Sequence, residues 1–207
     1  MRNIQKILLM LCSALYFVNI QAQTNKIEYP YVTYRSIPHC VIYRIETDAH
    51  FTKVSLYYKN PYPMGWVNFS RATTLKDLGR SRIYNIVYTE GVPLSPQKKD
   101  FELIGEGVYC SMFFPPIPKD SKYIEINENV EGGFHFVLKL ESNVNNYSSQ
   151  YAVMNNYIKK KREEETLQRN KAMWEKKQRE TYSSTPSKKK IKKNRKALVK
   201  DPDFKID

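Results

Sequence analysis

The side chains best placed to do chemistry in this chain are three histidines, His39, His50 and His135, and two cysteines, Cys40 and Cys110. A zinc centre needs three or four convergent ligands, usually at short motif spacing. The sequence holds no CxxC, HxH or HExxH pattern, so surface or strand histidines are the expectation, with no metal and no cofactor. Asp and Glu are scattered, without a close pair that reads as general acid and base. A P-loop, a GxGxxG turn and a nucleophile elbow are all missing. Catalytic groups can converge from distant positions, so an unrecognised enzyme stays as a third reading behind two binding readings.

Two stretches suit binding better than catalysis. Tyr57, Tyr58, Tyr62 and Trp66 flank the turn KNPYPMG, and flat rings stack on sugar or base faces; the bland alternative is packing. The stronger signal is KKKIKKNRK at 188–196, where Lys188, Lys189, Lys190, Lys192, Lys193, Arg195 and Lys196 make seven basic residues in nine. Lys acts as a point charge without fixed bidentate geometry. The block therefore suits an anionic surface or polyanion and reads no sequence.

Charge is unevenly spread. Residues 1–150 hold 16 Lys and Arg against 13 Asp and Glu, a net of +3, and residues 151–207 hold 18 against 8, a net of +10. The basic character belongs to the last quarter of the chain.

The N-terminus opens with Arg2 and Lys6, then ILLMLCSALYFVNI without charge, then Gln21-Ala22-Gln23. This is the n-region, h-region and small-residue exit of a signal peptide over 1–22, cut after Ala22. A spanning helix wants about 20 mostly apolar residues, and this run decays sooner. The expected location is outside the cytoplasm: periplasmic, envelope-associated or secreted. Export leaves Cys40 and Cys110 as an even pair in an oxidising setting. A disulfide between strands and two separate buried thiols both fit, and geometry decides.

Sixteen Tyr and nine Phe suit pleated strands. Alternating runs recur at His39–Glu46, Phe51–Tyr58, Trp66–Phe69, Ile83–Tyr88, Phe101–Ile104, Val108–Phe114, Tyr123–Asn127 and Phe134–Leu140, with Pro and Gly turns between them. That predicts a mainly β domain over 26–145, an immunoglobulin-like antiparallel sandwich of about eight strands, with a closed barrel as the alternative. From 149 to 180 no Gly or Pro occurs, and pairs such as Glu165/Arg169 and Glu175/Arg179 fall at helical spacing. A charged helix is expected there, with Tyr151, Met154 and Ile158 as its apolar stripe. Residues 181–207 read as a flexible, disordered basic tail, because like charges repel and no core is available.

The stretch GWVNFS…LKDLGRSRIYNIVYTEGVPLSP…VYCSMFFPPIPKDSKYIEINE resembles small immunoglobulin-like sandwich modules of secreted Bacteroidetes proteins, over about residues 45–140. The strand ending in Phe114-Pro115-Pro116-Ile117-Pro118 and the leader ending Gln-Ala-Gln carry the likeness. It implies the fold and export, and it transfers no catalytic residue.

The first functional expectation is therefore an exported, non-enzymatic binding or scaffold protein of the cell envelope. Its Lys-rich tail would contact lipid headgroups, polysaccharide or another envelope protein. The alternative is an exported nucleic-acid-binding accessory protein.

Overall fold

The computed structural model describes residues 24–184; the leader over 1–22 and the Lys-rich block at 188–196 lie outside them. Twelve strands and one helix follow in order: β1 (Asn25–Glu28), β2 (Pro30–Arg35), β3 (Cys40–Thr47), β4 (Thr52–Lys59), β5 (Trp66–Val67), β6 (Thr74–Asp77), β7 (Arg82–Asn85), β8 (Tyr88–Glu90), β9 (Lys99–Asp100), β10 (Gly107–Phe114), β11 (Tyr123–Asn127), β12 (His135–Ser142) and α1 (Val144–Ser184). One five-stranded sheet has the order β1-β3-β4-β10-β8 and a second the order β2-β12-β11-β6-β7, with β5 and β9 as a separate pair. Pairing within the sheets is antiparallel throughout.

Twelve strands replace the expected eight for local reasons. β1, β2 and β6 carry little alternation in sequence because each turns at most one or two side chains inward: Ile27 in β1 is buried, and Leu75 is the buried apolar residue of β6. The chain changes sheet at Tyr29, whose φ is 49°, so that β1 pairs with β3 and β2 with β12. The run Ile83–Tyr88 also divides between the two sheets. β7 pairs with β6 in one sheet, and β8 with β10 in the other. Phe101–Ile104 lies past β9 rather than in a strand, and Phe101 and Ile104 are buried from a turn.

The inward residues of both sheets meet in one core. Ile42, Leu56, Met112 and Phe114 come from the first sheet; Leu75, Ile124, Ile126, Phe136 and Leu138 come from the second. The second sheet alternates cleanly, as β11 and β12 show, and leaves a charged outer face with a His135–Glu125 contact at 2.8 Å. In the first sheet, by contrast, Cys40, Val41 and Ile42 are all buried, so both faces are covered.

The cover of that outer face is α1. Gln150, Met154 and Ile158 are buried, at the four-residue spacing that lines one helix face. Tyr151 packs on Tyr57 with ring centroids 6.1 Å apart, Tyr157 on His39 at 5.6 Å, and Lys59 Nζ donates to Asn155 Oδ1 at 2.9 Å. The compact unit accordingly runs to Lys161, past the boundary at 145 read from the sequence. From Arg162 a second unit begins. There Leu167, Met173 and Trp174 are exposed, and the Arg169–Glu165 and Arg179–Glu175 pairs form at 2.5 and 4.0 Å. Among the described residues no helix is long and apolar enough to cross a membrane.

Candidate functional site: a cleft at one end of the sandwich

β3 begins, β4 ends, and β11 turns into β12 at the same end of the two sheets. A cleft of about 300 Å³ opens there, at the small end of the range for small-molecule sites. Three segments build it: the chain entering β3, the turn after β4, and the β11–β12 turn.

The turn after β4 is shaped by Asn60, which is fully buried. Its Nδ2 donates to the carbonyls of Tyr62 (2.5 Å) and Leu103 (3.0 Å), and its Oδ1 accepts from the Tyr62 N–H (3.3 Å). A side chain at Gly65 would run into that carboxamide, so the close approach requires glycine. Trp66 then pairs with Asp100. The outcome is that Tyr62 and Trp66, each more than half exposed, line the cleft together with Tyr58 from β4.

The β11–β12 turn is organised by Glu128, only 8% exposed. One carboxylate oxygen accepts from the Ser70 N–H (2.9 Å) and the other from the Phe134 N–H (3.2 Å). Burial pushes its pKa up, against those two backbone bonds, which pull it down. No salt-bridge partner reaches this carboxylate among the described residues. Glu131, Gly132 and Phe134 continue the wall.

From the β3 side comes His39. Its ring meets Tyr58 edge-on at 5.3 Å and stacks on Tyr157 at 5.6 Å. Its Nδ1 is buried without a hydrogen-bond partner, and burial lowers its pKa to about 4, so the ring is neutral at neutral pH. Cys40 also lines the cleft, and burial holds it as a thiol, its pKa pushed up to about 12.

The residues singled out by sequence divide as follows. Tyr58, Tyr62 and Trp66 come together. Tyr57 does not, because adjacent strand residues point to opposite faces; it packs under α1 between Tyr109 (4.5 Å) and Tyr151 (6.1 Å). The disulfide is not formed, and Cys40 and Cys110 are free buried thiols. They pair with Tyr58 and Leu56 from opposite sides of β4. Two strand spacings, about 9.5 Å, exceed the Cα separation a disulfide spans. His39, His50 and His135 stay apart, and no group of three metal-ligating side chains occurs among the described residues. The contributions of Asn60 and Glu128 were not apparent in the sequence; only the Asn-Pro and Gly-Gly pairs beside them marked the turns.

Comparison of the chain with protein-family models, with curated proteins and with solved structures gave no match. Its class therefore rests on what has been described: an antiparallel β protein with a helix laid on one sheet and a small aromatic-lined cleft.

Proposed function

We propose that this chain is an exported, non-enzymatic binding protein of the cell envelope, whose cleft takes a small ligand while its basic end holds an anionic surface. The observation that carries the binding reading is the convergence of Tyr58, Tyr62 and Trp66 on one cleft. The ionisable groups beside them are poorly suited to catalysis. His39 is neutral and has no hydrogen-bonded nucleophile, Glu128 is engaged with loop backbone, and Cys40 is a thiol. Export rests on the charged start, apolar run and Ala22 of residues 1–22. The immunoglobulin-like assignment rests on two antiparallel sheets around one core.

Seven basic residues in nine also favour a second reading, an exported accessory protein that binds nucleic acid. Sedimentation of the mature full chain with anionic phospholipid vesicles, with duplex DNA as competitor, separates the two. Vesicle binding should weaken steeply with salt, at about 1 kcal/mol per basic residue near the surface. It should disappear when Lys188, Lys189, Lys190, Lys192, Lys193, Arg195 and Lys196 are all replaced by Gln. Displacement by DNA at far lower concentration, with a salt slope of about −0.9 per phosphate contact, would favour the second reading. Unchanged binding by the Gln variant would refute a role for the block in either.

A further inference from the structure

The cleft carries a charge pattern opposite to that of the chain. The protein has a formal net charge of +13, yet the cleft is lined by Glu128 and Glu131 with no Lys or Arg. Glu128 is nearly buried and forms no salt bridge among the described residues; Arg35 is a cation that acts on this end, its charge felt at Cys40. A buried carboxylate without a cation is costly and is relieved by one. Each of its oxygens accepts one backbone hydrogen bond, and a carboxylate oxygen has room for a second donor. Around it stand Trp66, Tyr62 and Tyr58, and the faces of such rings attract cations. His39 is neutral and adds no opposing charge.

We propose that the cleft binds an alkylammonium group, with the rings of Trp66, Tyr62 and Tyr58 around it and the Glu128 and Glu131 carboxylates as its countercharge. This rests on the cleft being a binding site. The cleft and the basic end then take ligands of opposite sign. The ammonium could be supplied by a lipid headgroup or by a lysyl side chain; the chemistry at the cleft is shared.

The full chain carrying Trp174→Phe leaves Trp66 as its only tryptophan, so fluorescence reports the cleft directly. Titration with choline (the headgroup arm) and with Nα-acetyl-lysine amide (the side-chain arm) should give saturable changes, and the tighter of the two identifies the source. 3,3-Dimethylbutanol, the uncharged isostere of choline, should bind about tenfold more weakly. That comparison removes charge from the ligand, so it is read within one protein and needs no change to the cleft. Glu131→Gln, which leaves the Glu128 loop bonds intact, should weaken choline several-fold. The inference fails if the neutral isostere binds as tightly as choline, or if methyl glucoside saturates the signal and the ammonium probes do not. In either case the cleft remains a binding site of another kind. Silence toward every one of these probes overturns both the inference and the cleft reading.

Discussion

Tyr57 and Tyr58 are neighbours in sequence and end in opposite surroundings. Tyr58 faces inward and reaches the cleft, where Tyr62 and Trp66 remain exposed, His39 Nδ1 has no partner and each Glu128 oxygen accepts one backbone hydrogen bond. Tyr57 faces outward into a seam of rings that runs from Tyr29 through Tyr147, Tyr151 and Tyr57 to Tyr109 and Tyr43, each within about 6 Å of the next. Both clusters are rich in tyrosine. α1 covers part of the seam, where Tyr151 packs on Tyr57, and the rings pack on one another, with Tyr109 left exposed at one side. The cleft is open and lined by polar groups with unmet capacity. Aromatic content alone does not mark a site, and neither does an unpartnered polar atom, since Gln150 Nε2 and Oε1 are buried without partners on α1; rings gathered around an open volume do.

The strongest way to break the comparison is to remove the cover of the seam. A chain ending at Asn143 uncovers Val41, Ser55 and Tyr57 and loses buried Met154 and Ile158. Full burial of such a side chain contributes about 1.5–3 kcal/mol, and whole domains hold only about 5–15 kcal/mol. We expect loss of cooperative thermal unfolding; a truncated chain that melts like the parent would reduce α1 to an appendage.

Acid offers a test of the residue between the two regions. His39 touches Tyr58 on the cleft side and Tyr157 on the helix side. Its folded pKa is lowered from 6.5 to about 4, so the unfolded chain takes up its proton first as the pH falls. Its stabilising contribution is complete above about pH 6.5 and is lost progressively toward pH 4, by at most about 3 kcal/mol. Glu128, whose pKa is raised, works in the opposite sense over part of that window. The reading is therefore the difference in slope between parent and His39→Phe in denaturant melts at several pH values. Equal slopes would mean that His39 is not buried as described.

At the small end, Trp66→Ala should change stability by less than about 0.5 kcal/mol, because the ring is 56% exposed and surface substitutions rarely do more. A larger loss in thermal melts would make Trp66 part of the packing rather than of the site.

The strands with one wet face were the legible ones. β11 and β12 alternate, and their limits fell within a residue or two of those read from the sequence. In β3 the covered outer face left only the strand itself readable, since Val41 looks alike whether it faces core or helix. The stripe Tyr151, Met154 and Ile158 was visible, but its partner surface was not, because a helix with so few apolar residues gives no sign of where it docks. Of the cleft, the four rings are visible in the sequence as a group, while the structure sets Tyr58, Tyr62 and Trp66 along the cleft and Tyr57 against α1. A turn distorts the count by which alternation assigns faces, and here Tyr57 and Tyr58 precede the turn while Tyr62 and Trp66 follow it. Glu128 stayed invisible because a buried carboxylate in a loop looks like any surface acid until its two backbone donors are in place.

The most direct test of the division between site and seam is one affinity measured on two variants. Envelope vesicles from the native cell are titrated with parent, Trp66→Ala and Met154→Ala, at salt high enough to screen the basic end and well below every melting temperature. Met154→Ala, which costs about 2–5 kcal/mol of stability, should bind as the parent does, whereas Trp66→Ala should lose the saturable, salt-resistant component. Intact binding by Trp66→Ala together with loss in Met154→Ala would contradict the assignment and place the site at the helix-covered face.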